Sequence, residues 1–245
     1  MVNIKKATVG VLFSERMFRL TSMSGALTDE LLALRGKTIN TQSFVNIGRD
    51  PHNSILSLYN EEAGIYLKIT LESFTYTSDL YMSGEDFKFD CFFNEFEAIW
   101  RAADTILKFP SIRRIGFVTE QRFLVGNKSN NLLMEKLTTL KPSGFPAKFN
   151  LSFEDRTDVG HGGLPDPTKD DFINIIRTYY DSSIDDSHGE ANAINANLDV
   201  QRYYSPSFSG QPFDEIKRLK KKYDEVALKF NTDLNRLGIS YAKTQ

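Results

Sequence analysis

Gly64-Ile-Tyr-Leu-Lys-Ile-Thr-Leu-Glu-Ser-Phe-Thr-Tyr-Thr-Ser78 carries the clearest structural signal in the chain. Ile65, Leu67, Ile69 and Leu71 alternate with Tyr66, Lys68, Thr70 and Glu72, a period of two that sends each set to its own face of a β-strand. Clean alternation suits an antiparallel sheet covered on one side, because strands covered on both sides read as unbroken apolar runs. Upstream, 54–59 reads as a shorter strand, and Asn60-Glu61-Glu62-Ala63-Gly64 supplies a hairpin connection. Residues 7–17 and 43–48 are two further strands, with a short helix over 29–35 between them.

The period changes at 88–108. Phe92, Phe96, Ile99, Ala103 and Ile106 recur every three or four residues, with Phe93, Trp100 and Leu107 widening the stripe. This predicts a core-facing helix stopped by Pro110, about 31 Å long at 1.5 Å per residue. The second half follows a similar plan. Residues 112–124 read as a strand, 129–141 as a helix through Leu133, Leu137 and Leu140, and 147–153, 172–180 and 193–204 as strands. The strongest helix is 212–237, where Ile216, Leu219, Tyr223, Val226, Phe230, Leu234 and Leu237 form one stripe between Pro212 and Gly238. The expected fold is α+β: antiparallel sheets, each covered by a long amphipathic helix, in two strand-then-helix halves spanning 1–110 and 111–245, separate or fused.

Composition narrows the chemistry. The 245 residues hold 30 Lys+Arg against 32 Asp+Glu, a net charge of −2, which argues against a dedicated nucleic-acid binder. One cysteine and three histidines rule out an internal disulfide and the multi-cysteine zinc scaffolds. Cys91, beside Phe92 and Phe93 on the first long helix, is expected to be a buried, inert thiol. Val9–Phe13 is too short for a secretory apolar core, and no run approaches the ~20 apolar residues of a membrane span. A reducing cytoplasm is the expected compartment. No dinucleotide fingerprint, P-loop, nucleophile elbow or zinc motif occurs, so no cofactor is implied.

Four features remain as candidate sites. On the strand at 112–124, Arg114, Gly116, Glu120 and Arg122 share one face, and Arg113 falls with Ile115 and Phe117 on the other. The run Lys217-Arg218-Leu219-Lys220-Lys221-Lys222 is a basic cluster on the last helix; it suits phosphates, or simply a solvated face with Asp214 four residues ahead of Arg218. The third is the loop 157–168, where three glycines surround His161; its glycines and prolines also read as plain turn chemistry. The fourth is 181–190, with four carboxylates and His188, whose spacing fits a solvated hairpin tip better than a metal loop. Residues 154–190 carry ten Asp+Glu against three Lys+Arg, whereas 211–245 carry eight Lys+Arg against five Asp+Glu. Opposite charge patches of this kind suit assembly.

The order Phe109-Pro110, then Ile112-Arg-Arg-Ile-Gly-Phe117, a later Asn197-Leu-Asp-Val-Gln-Arg-Tyr203, and a last helix with Leu219, Tyr223 and Phe230 resembles a large family of sporadically distributed bacterial proteins of similar length and no assigned activity. That family places an Arg-x-Gly strand and a Leu-Asp strand at these positions. Arg114-Ile115-Gly116 matches it closely, and 117–124 departs from its aromatic-Asn continuation. The resemblance implies a bacterial cytoplasmic α+β protein and supplies no catalytic residues. A strand-rich half followed by a long helix is also similar, at the level of fold, to SecB-like modules that bind extended apolar segments. Three functions follow as expectations. The first is a non-enzymatic binding or assembly protein, with a protein partner or a second copy of itself. The second is a nucleic-acid binder using Arg113, Arg114 and Arg122 with Lys217, Arg218, Lys220, Lys221 and Lys222, provided the two segments face one another. The third is a hydrolase using His161 and the 181–190 carboxylates.

Overall fold

The computed structural model describes residues 4–34, 44, 46–50, 55–81, 86–124, 129–139, 143, 148–157, 163–186 and 189–236. In chain order the elements are β1 (Ile4–Phe13), α1 (Arg19–Ala33), β2 (Asn46–Asp50), β3 (Ile55–Asn60), β4 (Ile65–Ile69), β5 (Ser73–Asp79), α2 (Phe89–Leu107), β6 (Ile112–Leu124), α3 (Ser129–Leu137), β7 (Asn150–Thr157), β8 (Phe172–Asp186), β9 (Gly189–Phe208) and α4 (Phe213–Arg236). Leu140, Ala147, Leu237 and Gly238, used in the sequence reading, lie outside the described residues.

The expectation of two sheets, each under its own helix, is overturned. Among the described residues the strands form one nine-stranded sheet in the order β2-β3-β4-β5-β1-β6-β9-β8-β7, antiparallel at every pairing. The join is β1 against β6, with Val9 opposite Phe117, Gly10 opposite Gly116 and Val11 opposite Ile115. The first strand of each half therefore lies at the centre of the sheet. Two separate sheets would leave both strands with unpaired backbone groups along an edge, and this pairing satisfies them. The sheet runs straight across the boundary near Pro110.

Among the described residues, all four helices bury apolar side chains in one continuous core against one face of the sheet. Leu20, Leu27 and Leu31 come from α1, Phe92, Phe96, Ile99 and Trp100 from α2, Leu133 from α3, and Tyr223, Phe230 and Leu234 from α4. Phe117 shows why the core does not divide. Its ring lies 5.4 Å from Phe93 of α2 and 4.9 Å from Tyr223 of α4, so one strand residue serves both long helices. Burying a ring of this size stabilises the fold by roughly 1.5–3 kcal/mol.

Local chemistry sets the boundaries. The 64–78 stretch, read as one strand, is two. Thr70 Oγ1 accepts hydrogen bonds from the Glu72 and Ser73 amides at 3.2 and 3.0 Å, closing a turn that sets Ile69 opposite Phe74. The buried set shifts accordingly from Ile65, Leu67 and Ile69 to Phe74, Tyr76 and Ser78. Gly64, at φ +65°, sits so close to the Asp79 carbonyl that an added Cβ would lie 1.7 Å from its oxygen, so only glycine fits. The helix expected at 29–35 is longer, because Leu20 and Leu27 extend its buried stripe through α1. Helix α2 ends on Lys108 in the left-handed region, whose amide returns to the Asp104 carbonyl. Cys91, expected to be buried, is exposed on the outer side of α2. Among the described residues no helix is long and apolar enough to cross a membrane.

Candidate functional site

The face of the sheet away from the helices is the unusual surface of the molecule. Its residues follow from the register: Arg114 opposite Tyr203, Gly116 opposite Gln201, Val118 opposite Asp199, Glu120 opposite Asn197 and Arg122 opposite Asn195. One strand further out, Phe172 lies opposite Tyr203, Asn174 opposite Gln201 and Tyr180 opposite Asn195. None of these residues belongs to the helix-side core.

At one end of this face, Arg122 Nε donates to Asn195 Oδ1 at 2.9 Å, and the guanidinium lies 3.9 Å from the Tyr81 ring centroid. Burial pushes the Arg122 pKa below its ordinary value, against the pull of Glu120, Tyr180 and Asp79. The Tyr180 hydroxyl donates to Glu120. Burial first, and that carboxylate second, push the phenol up to about 12. At the other end, Arg114 Nη1 donates to the Tyr203 hydroxyl at 3.1 Å, and Tyr203 stacks on Phe172 with ring centroids 4.6 Å apart. At both ends charge and ring support one another, and of these side chains the Tyr81 hydroxyl alone is buried without a hydrogen-bond partner among the described residues.

The middle is different. Gly10 and Gly116 face each other across the central strand pair. A Cβ added at Gly10 would meet nothing within 4 Å, and one at Gly116 would meet Gln201 Cγ at 3.4 Å and Asp199 Oδ1 at 3.8 Å. The two glycines leave a floor of bare backbone bordered by Asp199 and Gln201. Asp199 Oδ2 accepts from Gln201 Nε2 at 2.6 Å, but among the described residues Asp199 Oδ1, Gln201 Oε1, Asn174 Oδ1 and Asn197 Oδ1 are buried without a hydrogen-bond partner. Gln201 is 8% exposed and Asn174 3%. Burial raises the Asp199 carboxyl to about 6, with Gln201 and Arg114 opposing the rise. Four acceptor oxygens on one patch therefore lack donors, which native interiors seldom tolerate.

The residues singled out from sequence divide between the two sides of the molecule. Arg114 and Arg122 lie on the helix-free face. Arg113, expected among the apolar residues, sits at a bulge that lets Ile112 and Ile115 both enter the core, and its Nη2 donates to the Pro167 carbonyl at 3.1 Å. The basic cluster lies on α4, on the opposite side of the sheet, so the two arginine-bearing segments do not face one another. On α4, Lys217, Arg218, Lys220 and Lys222 approach Asp214, Glu215, Asp224 and Glu225 one turn away, and Lys221 is exposed. Such i,i+3 and i,i+4 pairs lace a solvated helix face. His161 and His188 lie outside the described residues. Strands β8 and β9 pair on either side of 187–188, with Asp185 opposite Glu190 and Asp186 opposite Gly189. The Asp181 side chain accepts from the Phe149 amide. Among the described residues, no three His, Cys, Asp or Glu side chains are placed to hold a metal ion.

Sequence reasoning missed Asn174, Asn195, Asn197, Asp199 and Gln201. A signal was present in 193–204, where the polar half of the alternation is mostly amide rather than Lys, Thr or Glu. Asn and Asp are depleted in strands and need a specific reason to be there. The structure also sets the two strand motifs side by side: Arg114-Ile115-Gly116 runs against Gln201-Arg202-Tyr203.

A second concavity of about 260 Å³ lies between α2 and α4 on the helix side, walled by Phe89, Phe93 and Phe213, with Asp90 and Glu97 on one rim and Lys217 and Lys220 on the other. The two helices run antiparallel here: Trp100 Nε1 donates to Gln211, just before α4, while Phe89 at the start of α2 packs against Tyr223 in mid-helix. No protein-family model matches the chain, and no curated protein matches it in sequence.

Proposed function

We propose that the chain is a non-enzymatic binding protein that holds an extended segment of a partner protein against the helix-free face of its sheet. The observation that carries this reading is the middle of that face, where bare backbone at Gly10 and Gly116 adjoins buried acceptor oxygens without donors. Glycine within a strand often marks a place where another backbone approaches closely. An extended chain offers both things the patch lacks, a thin profile and a row of N–H donors. The flanking Arg114, Tyr203, Tyr180 and Arg122 are the residue types that anchor protein interfaces.

The test is fluorescence anisotropy with dye-labelled extended peptides of varied sequence, run beside labelled single-stranded RNA and DNA. A Cβ at Gly10 meets no neighbour, so Gly10→Trp fills the floor without disturbing the core. The expected result is peptide binding that Gly10→Trp removes and that Lys217→Glu on α4 leaves intact. Binding of nucleic acid alone, or peptide binding indifferent to Gly10→Trp, would overturn the reading.

A further inference from the structure

We infer that the floor at Gly10 and Gly116 is a subsite for a cationic nitrogen, a guanidinium or primary ammonium group carried by the bound segment, with Asp199, Gln201 and Asn174 as its acceptors. This rests on the proposed function above and adds the chemistry of one residue of the partner.

Every unpaired group in the middle of the face is an acceptor: a carboxylate oxygen from Asp199 and amide oxygens from Gln201, Asn174 and Asn197. The carboxylate oxygen borders the floor, 3.8 Å from where a Cβ on Gly116 would stand. Gln201 and Asn174, directly opposite each other on β9 and β8, are more than nine-tenths buried. A desolvated carboxylate is costly unless a cation and hydrogen bonds compensate it. Arg114 opposes the rise of the Asp199 carboxyl by its charge, but its Nη1 hydrogen bond goes to the Tyr203 hydroxyl and leaves Asp199 Oδ1 without a donor among the described residues. The missing partner therefore has to be a donor and to bring positive charge.

The spacing argues against a metal ion. Asn197, Asp199 and Gln201 alternate along one strand, so their stems stand about 6.6 Å apart in a line. A divalent cation of the calcium type gathers six to eight oxygens around a point, usually with several carboxylates. A line of acceptors fits a planar guanidinium, which presents five N–H groups along its edges, and an ammonium fits with fewer bonds.

The probes are three short blocked peptides of one sequence carrying arginine, lysine or citrulline at the central position, together with free putrescine and calcium chloride. Binding is read from the amide chemical shifts of Gly10 and Gly116. The arginine and lysine peptides should shift both resonances saturably, and citrulline, of the same shape as arginine but neutral, should bind about tenfold more weakly. Asp199→Asn should erase that difference, and Gly10→Val should block all three peptides. Putrescine acting as well as the lysine peptide would identify a free amine rather than a side chain as the source of the nitrogen, and would overturn the placement on a bound segment. Equal binding of arginine and citrulline, or saturable shifts with calcium alone, would overturn the inference. If extended peptides bind in a manner sensitive to Gly10→Trp but indifferent to the central residue, the inference fails and the proposed function stands. If no peptide binds, both fail.

Discussion

The two faces of the sheet are made from the same strands and follow opposite rules. On the helix side, most buried polar groups find partners inside the fold: Thr119 and Tyr223 share a hydroxyl hydrogen bond of 2.7 Å, Gln121 reaches Asn231, and Tyr76 donates to Glu95, while Arg177 Nε and Thr157 Oγ1, out towards the β7 edge, have none among the described residues. On the helix-free side the Tyr81 hydroxyl at one end lacks a partner among the described residues, and the centre gathers four more unpaired oxygens beside two facing glycines. A surface that only had to stay dissolved would put charged or hydroxyl side chains there. A surface that receives another molecule keeps its hydrogen-bonding capacity unspent until the partner arrives. The contrast teaches that the helix side holds the molecule together and that the centre of the opposite side concentrates the unpaired acceptor oxygens.

The largest expected effect falls on the helix side. Phe117→Ala removes a ring packed against both α2 and α4 and should cost about 3–5 kcal/mol in chemical denaturation. Because the core is shared, unfolding should remain a single transition followed equally by Trp100 fluorescence and by far-ultraviolet circular dichroism. Two separated transitions would restore independent halves.

Next in size is Asp199→Asn. Burial pushes the folded carboxyl up to about 6, above the ordinary carboxylate range, so the folded state holds the proton more tightly than the unfolded one. Stability from this group is present below about pH 4 and is lost as pH rises through 6. The asparagine variant should therefore be more stable than wild type by about 1–3 kcal/mol at pH 7.5 and indistinguishable at pH 4. A loss of stability at pH 7.5 would show that Gln201 and Arg114 already compensate the Asp199 charge inside the fold, and would close the contrast between the faces.

Smaller again is Gly10→Val. A β-branched side chain in open space at the centre of a sheet should raise stability by about 0.5–1 kcal/mol, while blocking the face to peptide. Stabilisation together with undiminished binding would move the binding surface elsewhere. The smallest effect is expected at the exposed α4 cluster. Arg218→Ala removes a surface pair with Glu215 and should change stability by less than about 0.5 kcal/mol.

Much of the local structure was legible in the sequence, because hydrophobic period reports which side of an element is buried. Strand β6 and helices α2 and α4 fall where the period placed them. The turn at 70–72 was readable too, since the apolar parity passes from Leu67 and Ile69 to Phe74 and Tyr76 at that point. The joining of the halves was not legible, because backbone pairing between β1 and β6 leaves no mark on side-chain period. For the same reason Gly10 and Gly116, 106 positions apart, gave no hint that they meet. Of the site, Arg114 and Arg122 stood out by charge. Asp199 and Gln201 did not, since their importance comes from an unpaired environment that only packing creates.

The central claim is that partners dock on the helix-free face, and a spin-labelled extended peptide tests it most directly. Paramagnetic broadening should centre on the amides of Thr8, Gly10, Gly116 and Asp199 and leave Phe93 and Lys217 sharp. Broadening centred on the groove between α2 and α4, with Gly10 and Gly116 unaffected, would contradict it.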